Sequence, residues 1–168
     1  MQAHSYKTAS SNGTAARRNL VSGGLFGIGM VAFLDEAIFH QLLHWHHFYD
    51  KSTTSIGLVS DGFFHAFSWL ATIGGLFLFA DLRRKDMLQV KRWFGSIWLG
   101  AGLFQLYDGL IQHKVMGIHQ IRYVDHVFYY DLVWNGIALL MIVAGGALIG
   151  RRPRSSMQTG GQRDARRA

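Results

Sequence analysis

Cysteine is absent from this chain of 168 residues, proline occurs once, and charged residues make up only 16%. The lack of cysteine excludes disulfides, thiolate metal sites and cysteine nucleophiles. The sequence also lacks an HExxH helix, a Walker-type glycine loop and a GxSxG elbow, which are signatures of common hydrolases and nucleotide-binding proteins. Histidine and carboxylate side chains are therefore the candidates for its chemistry.

The scarcity of charge leaves four long apolar runs, and each approaches the roughly 20 residues that a helix needs to cross a bilayer. They cover residues 20–43, 62–80, 93–111 and 127–149. Helices are expected, because lipid cannot satisfy the backbone polar groups of an open strand. The ten-residue alternating segments of a membrane barrel are missing. The sequence thus predicts an all-α integral membrane four-helix bundle.

The net charge of +7 is concentrated at the ends of these runs. Arg17 and Arg18 precede the first run, five basic residues lie between 83 and 92, and three lie between 151 and 154. Lys and Arg near span ends stay on the cytoplasmic side, where they are attracted to anionic lipid. We expect a multi-pass protein of the plasma (inner) membrane with both termini cytoplasmic. Its partner is expected to be the lipid bilayer and not nucleic acid.

The apolar runs also set the domain organisation. Residues 1–17 are small and polar, and are predicted to be a disordered N-terminal tail. Residues 18–152 are predicted to form a four-span transmembrane domain. Residues 153–168 are rich in Arg, Gly, Ser and Gln, and are predicted to be a disordered basic C-terminal tail.

The first and third runs resemble each other, which predicts two repeated hairpins. At one constant offset, Gly27, Gly29, Asp35, His40 and His46 fall on Gly100, Gly102, Asp108, His113 and His119. The second and fourth runs align less well, with Trp69 on Trp134, Phe64 on Tyr129, His65 on Tyr130 and Asp61 on His126. Runs one and three both point outward, so the repeat axis would lie along the membrane normal. His40 and His113 would then lie at one depth on opposite sides of the bundle.

Eight of the nine histidines lie between His40 and His126, inside or beside the apolar runs. Ionisable residues in a membrane are costly and mark functional sites. Glu36, His40 and His44 share one face of a regular helix, whereas Asp108 and His113, five residues apart, do not. His46 and His47 are interpreted as interfacial residues that face water. The candidate metal ligands, near the extracytoplasmic face, are Asp35, Glu36, His40, His44, Asp61, His65, Asp108, His113, His119, His126 and Asp131.

Three segments carry a family resemblance: FLDEAIFHQLLHWHH at 33–47, DGFFHA at 61–66 and YDLVWN at 130–135. They resemble an uncharacterised bacterial family of predicted membrane proteins, the domain of unknown function 2243, over about residues 18–152. The resemblance implies a four-span membrane protein and carries no established activity. It also implies an association with proteins that assemble the copper centres of cytochrome oxidase, which makes copper a candidate ion and oxidase assembly proteins candidate partners.

Three functions fit these residues. The first is a membrane metal-binding protein that holds copper, zinc or iron with His and carboxylate ligands, for copper handling or redox chemistry. The second is a b-type haem protein with two axial ligands among His40, His65 and His113. The third is a proton-relay or transport subunit, which with four spans would act as a homo-oligomer. No catalytic residue stands apart from the possible ligands, so the sequence leaves open whether the protein is an enzyme.

Overall fold

The computed structural model describes the backbone of residues 2–150 and the side chains from residue 12 onward, and this part of the chain contains helices and no strands. Helix α1 (Gln2–Asp35) continues directly into a π-helical segment, π1 (Glu36–Leu42). Helix α3 (Val90–Tyr107) continues in the same way into π2 (Asp108–Met116). The other two helices are α2 (Thr54–Arg84) and α4 (Val127–Gly150). The predicted C-terminal tail, 153–168, lies outside the described residues.

Helix α1 begins at Gln2 and runs through the segment for which the sequence predicts a disordered N-terminal tail. Once a helix is nucleated, each added residue gains a backbone hydrogen bond, so extension is easier than initiation. The polar residues before the first apolar run are therefore part of the same continuous helix.

Three helical segments are long and apolar enough to cross a membrane: Asn12–Leu42, Thr54–Arg84 and Val127–Gly150. Helix α3 is shorter, with 18 residues and with Lys91 and Arg92 in its first turn. The 9 residues of π2 extend it toward the far end of the bundle. The predicted all-α fold is therefore confirmed as a helical membrane bundle, although the third apolar run is not among the segments that are long and apolar enough to cross a membrane.

The helices pack in the order α2, α1, α3, α4, with α1 and α3 as the central pair. Glycines allow this close approach. A Cβ at Gly27 would clash with the backbone of Ile97, and a Cβ at Gly100 would clash with the backbone of Gly24. The two chain halves thus meet along the α1–α3 contact.

The repeat extends to all four helices, but the register of the second pair differs from the predicted one. Gly29 faces Ser68 O and Thr72 N, whereas Gly102 faces Ala138 O and Ile142 N. Gly75 approaches Phe26 N, and Gly145 approaches Leu99 N. Positions of α1 and α3 therefore match at an offset of 73, and those of α2 and α4 at 70.

This register replaces the predicted matches of the second and fourth runs. Asp61 corresponds to Asp131 and not to His126, and Phe64 corresponds to Trp134. The aromatic residues that suggested the other alignment lie partly on exposed faces, where packing does not fix their identity.

Candidate metal centre

The two π-helical segments bring an aspartate and a histidine together in each half of the molecule. Asp35 and His40 are five residues apart, as are Asp108 and His113. A π-helix bonds residue i to residue i+5, so this spacing places both side chains on one face of the turn. All four side chains are buried. The pair that a regular helix would separate is thus united in both halves.

The loop that follows each π-helical segment adds a second histidine. Asp35, His40 and His46 form one triad, in which one ligand atom from each residue lies within 4.8 Å of the other two. His40 Nε2 is 3.7 Å from Asp35 Oδ2 and has no hydrogen-bond partner, and His46 Nε2 also has none. This is the first half-site.

Asp108, His113 and His119 form the equivalent triad, which is the second half-site. His113 Nε2 lies 3.0 Å from Asp108 Oδ2, and His119 Nε2 lies 3.4 Å from Asp108 Oδ1. Neither ring nitrogen makes a hydrogen bond. Ligand atoms held by one ion at about 2.1 Å lie roughly 3 to 3.5 Å apart. The atoms therefore have the spacing of ligands that point at a common ion.

Each outer loop supports the histidine of the other loop. His46 Nδ1 is 3.0 Å from Ile121 O, and His119 Nδ1 is 2.8 Å from Phe48 O. A carbonyl only accepts, so both Nδ1 atoms carry a proton, and in the neutral form of each ring the Nε2 atom keeps its lone pair. The two rings stack, with centroids 4.7 Å apart and planes at 5°. Two reciprocal hydrogen bonds and one pair of stacked rings therefore hold the two outer loops together.

His46 lies outside the helical spans and is 5% exposed. Burial, followed by the neighbouring His40 and His119, lowers the pKa of His46 to about 2. The ring is therefore neutral at physiological pH, which is the form that binds a metal ion.

The first half-site has supporting carboxylates that the second one lacks. His40 Nδ1 donates to Asp61 Oδ1 at 3.1 Å and lies 2.9 Å from Glu36 Oε2. The equivalent atom, His113 Nδ1, is buried without a hydrogen-bond partner. Gly109 stands at the position of Glu36.

Asp131 corresponds to Asp61 but is held elsewhere. Its Oδ2 pairs with Lys114 Nζ at 2.6 Å, and its Oδ1 has no hydrogen-bond partner. Asp61, by contrast, also accepts from the Phe48 backbone N–H at 2.7 Å and pairs with His47 Nδ1 at 2.6 Å. Glu36, His40 and Asp61 form a third group of possible ligands. Both carboxylate oxygens of Asp61 already make hydrogen bonds, to His40, His47 and Phe48. Asp61 is therefore better suited to orienting the His40 ring than to binding an ion.

The remaining predicted ligands lie away from the half-sites. His44 is exposed and has a positive φ of 50°. His65 is exposed on α2, where its Nε2 accepts a hydrogen bond from the Trp69 indole. His126 is exposed as well. Of the eleven predicted ligands, the structure brings together Asp35, Glu36, His40, Asp61, Asp108, His113 and His119.

His46 is the residue that the sequence interpretation placed in water and that the structure buries in the cluster. Its signal was its match to His119 at the repeat offset. His47 is half-buried and contacts Asp61, so it too belongs to the surroundings of the site.

Two lateral clefts flank the cluster. The larger one, of about 380 Å³, lies between α1, α3 and α4 and reaches Asp35. The other, of about 270 Å³, lies between α2 and α3 and reaches Gln112. Their linings correspond through the repeat: Val31, Phe39, Ile121 and Trp134 in the first, Phe104, Gln112, Phe48 and Phe64 in the second.

The sequence matches the family described as "Predicted membrane protein (DUF2243)" over residues 22–152. No curated protein and no solved structure matches the chain. The matched region contains both half-sites and the two outer loops.

Proposed function

Because the chain belongs to this family of predicted membrane proteins, we propose that it is a membrane-embedded metal-binding protein whose ion is held by the Asp-His-His half-sites. The observation that carries the proposal is the set of buried ring nitrogens without hydrogen-bond partners: Nε2 of His40, His46, His113 and His119. Buried polar groups are normally satisfied, and an unpaired one calls for an explanation. Bound metal would satisfy the two nitrogens of each half-site.

The donor set indicates the class of ion. Imidazole and carboxylate without thiolate suit borderline divalent ions such as copper(II), zinc(II) or iron(II). Met116, which lies between His113 and His119 in the sequence and could offer a thioether to copper(I), is 56% exposed. Copper at the site would fit the oxidase-assembly role implied by the family resemblance. Its absence would remove the reason for that role.

The haem alternative receives less support from this geometry. A porphyrin needs a flat slot between its two axial ligands, but the rings of His46 and His119 stack directly on each other. His40 also contacts His46, with ring centroids 4.5 Å apart. The rings fill the space that the macrocycle would require.

A proton-relay function has one observation in its favour. His40 is linked through Asp61 to His47, whose side chain is 22% exposed. Such a chain connects the buried cluster to the outer surface. In a metal protein the same chain would orient His40 as a ligand, so metal content separates the two functions.

We propose, from the distribution of basic residues, that the cluster faces outward and that both termini are cytoplasmic. The outer loops around the half-sites hold few basic residues, whereas the link between α2 and α3 is rich in them. An ion would then reach the site from outside the cytoplasm.

The test is elemental analysis with an absorption spectrum of protein purified in mild detergent, without chelator or affinity nickel. We expect a transition metal in near-stoichiometric amount and no Soret band. The double substitution His40→Ala/His113→Ala, which removes a proposed ligand from each half-site, should lose bound metal, and His126→Ala, an exposed histidine outside the half-sites, is the control that should keep it. A Soret band, or full metal content in the double variant, would contradict the proposed ligands. Metal-free protein that cannot be reconstituted would favour the proton relay.

A further inference from the structure

We infer that the cluster is a two-ion centre, with one divalent ion in each half-site, and that the first half-site binds more tightly. This inference rests on the proposed metal-binding function. It concerns how many ions are held and in what order, which neither the family match nor the resemblance addresses.

The first argument for two ions is the grouping of the ligand atoms. They fall into two Asp-His-His sets, each within 4.8 Å, and not into one shell of six. In the second half-site, the carboxylate of Asp108 lies 3.0 Å from His113 Nε2 and 3.4 Å from His119 Nε2. Three protein ligands with an open position are a common arrangement for a functional ion. Each half therefore has a complete ligand set of its own.

The second argument is charge. Four carboxylates are buried around the cluster: Asp35, Glu36, Asp61 and Asp108. Within the described part of the chain, their ion pairs are all with histidines and none is with Lys or Arg. Buried charge is strongly unfavourable unless it is paired. Two divalent ions can balance as many as four ionised carboxylates, whereas a single ion can balance two.

The order of binding follows from the different surroundings of the Nδ1 atoms of His40 and His113. Carboxylates at His40 Nδ1 orient this ring and make its Nε2 a more basic ligand for a metal ion. His113 Nδ1 has no such partner, because Lys114 holds Asp131 and glycine replaces glutamate at position 109. Loss of such a supporting group typically lowers metal affinity by roughly 10- to 100-fold. The first half-site should therefore be occupied first.

The experiment is a titration of chelator-treated, full-length protein in detergent with Co²⁺, followed by its visible absorption and by equilibrium dialysis. We expect two ions per chain, bound in two steps whose affinities differ roughly 10- to 100-fold. Asp35→Ala and Asp108→Ala should each leave one ion. Saturation of the wild type at one ion, with either substitution abolishing binding, would overturn the two-ion centre and leave the proposed function standing. No Co²⁺ binding by the wild type would overturn both.

A matched pair of variants tests the order. Asp61→Asn removes a carboxylate at His40, while Asp131→Asn changes the corresponding residue of the other half, which does not contact His113. Asp61→Asn should weaken the tighter step roughly 10- to 100-fold and keep two ions, and Asp131→Asn should leave that step unchanged. Equal effects of the two substitutions would overturn the assigned order.

A measurement on the wild type is independent of how the variants fold. Cu²⁺ ions in two half-sites with stacked rings are close enough to interact magnetically. We expect the electron paramagnetic resonance spectrum to be that of an isolated ion at the first equivalent and broadened by coupling at the second. An isolated-ion spectrum at every ratio would overturn the two-ion centre.

Discussion

At the scale of single residues, the free nitrogen of each imidazole decides what the histidine can do. His46 has its Nδ1 directed at a carbonyl, so its Nε2 lone pair remains for an ion. The Nε2 of His65 already accepts a hydrogen bond from the Trp69 indole N–H. In the sequence, His46 lies just after one apolar run and His65 lies inside another, so neither is marked as the more buried residue. Only the partner of each ring nitrogen distinguishes a ligand from a surface residue.

The first prediction contrasts two histidines of the same outer loop. His46→Ala removes one of the proposed ligands, so we expect metal affinity to fall by more than the roughly 100-fold upper range for loss of a supporting residue. His44→Ala changes an exposed side chain two positions away and should leave affinity unchanged. Competition with a chromophoric chelator measures both. Equal retention of metal by the two variants would show that His46 is not a ligand.

At the scale of elements, the π-helical segments and the glycines of the central pair shape the site. Each π turn places its aspartate and histidine on one face, and the glycines let α1 and α3 approach until the two faces meet. π-helical turns are rare, and they occur frequently at functional sites. The site is thus a product of local helix geometry and of close helix packing together.

The second prediction tests this packing. A Cβ at Gly27 would clash with the Ile97 backbone, whereas one at Gly24 meets nothing within 4 Å. We expect Gly27→Ala to destabilise the bundle by about 1–3 kcal/mol through overpacking. Gly24→Ala should raise stability by up to about 1 kcal/mol through helix propensity. Melting temperatures in detergent check the pair, and a Gly27→Ala protein as stable as Gly24→Ala would rule out the tight α1–α3 contact.

The sequence was sufficient for the helical membrane bundle, because apolar length and charge at span ends follow directly from the properties of lipid. It was also sufficient for the match of Asp35, His40 and His46 to their counterparts. It was not sufficient for the α2–α4 register, since the contacts that set it are between backbones at Gly29 and Gly102.

The spacing of five residues was misread for a different reason. A regular helix separates Asp108 from His113, and the π turn that unites them has no distinctive composition. The repetition of that spacing in both halves was the available signal. His46 was placed in water because its burial depends on a carbonyl of the other hairpin, at Ile121. Such a long-range contact cannot be read from local sequence.

At the scale of the whole molecule, the two hairpins are related by an approximate two-fold axis between α1 and α3. The half-sites, the stacked rings and the lateral clefts all occur in matching pairs. The two loops at the cluster end lie opposite the basic link between α2 and α3. The orientation of this axis in the membrane therefore decides which compartment the cluster faces.

The third prediction tests that orientation and uses the absence of cysteine as a clean background. We expect Ser52→Cys, in the exposed loop beside the cluster, to react with a membrane-impermeant maleimide on intact cells. Arg83→Cys, exposed at the other end of α2, should react only after permeabilisation. The opposite labelling pattern would invert the topology and place the cluster on the cytoplasmic side.

The exchanged carbonyl bonds between the outer loops bear on how this protein is made. When the chain has emerged from the ribosome only as far as α2, it contains His46 but not Ile121, whose carbonyl accepts the hydrogen bond from His46 Nδ1. The cluster of the first hairpin therefore lacks this support until the second hairpin has been inserted. Hydrogen exchange and protease protection of the first outer loop should accordingly appear only in the full-length chain and not in one truncated after α2.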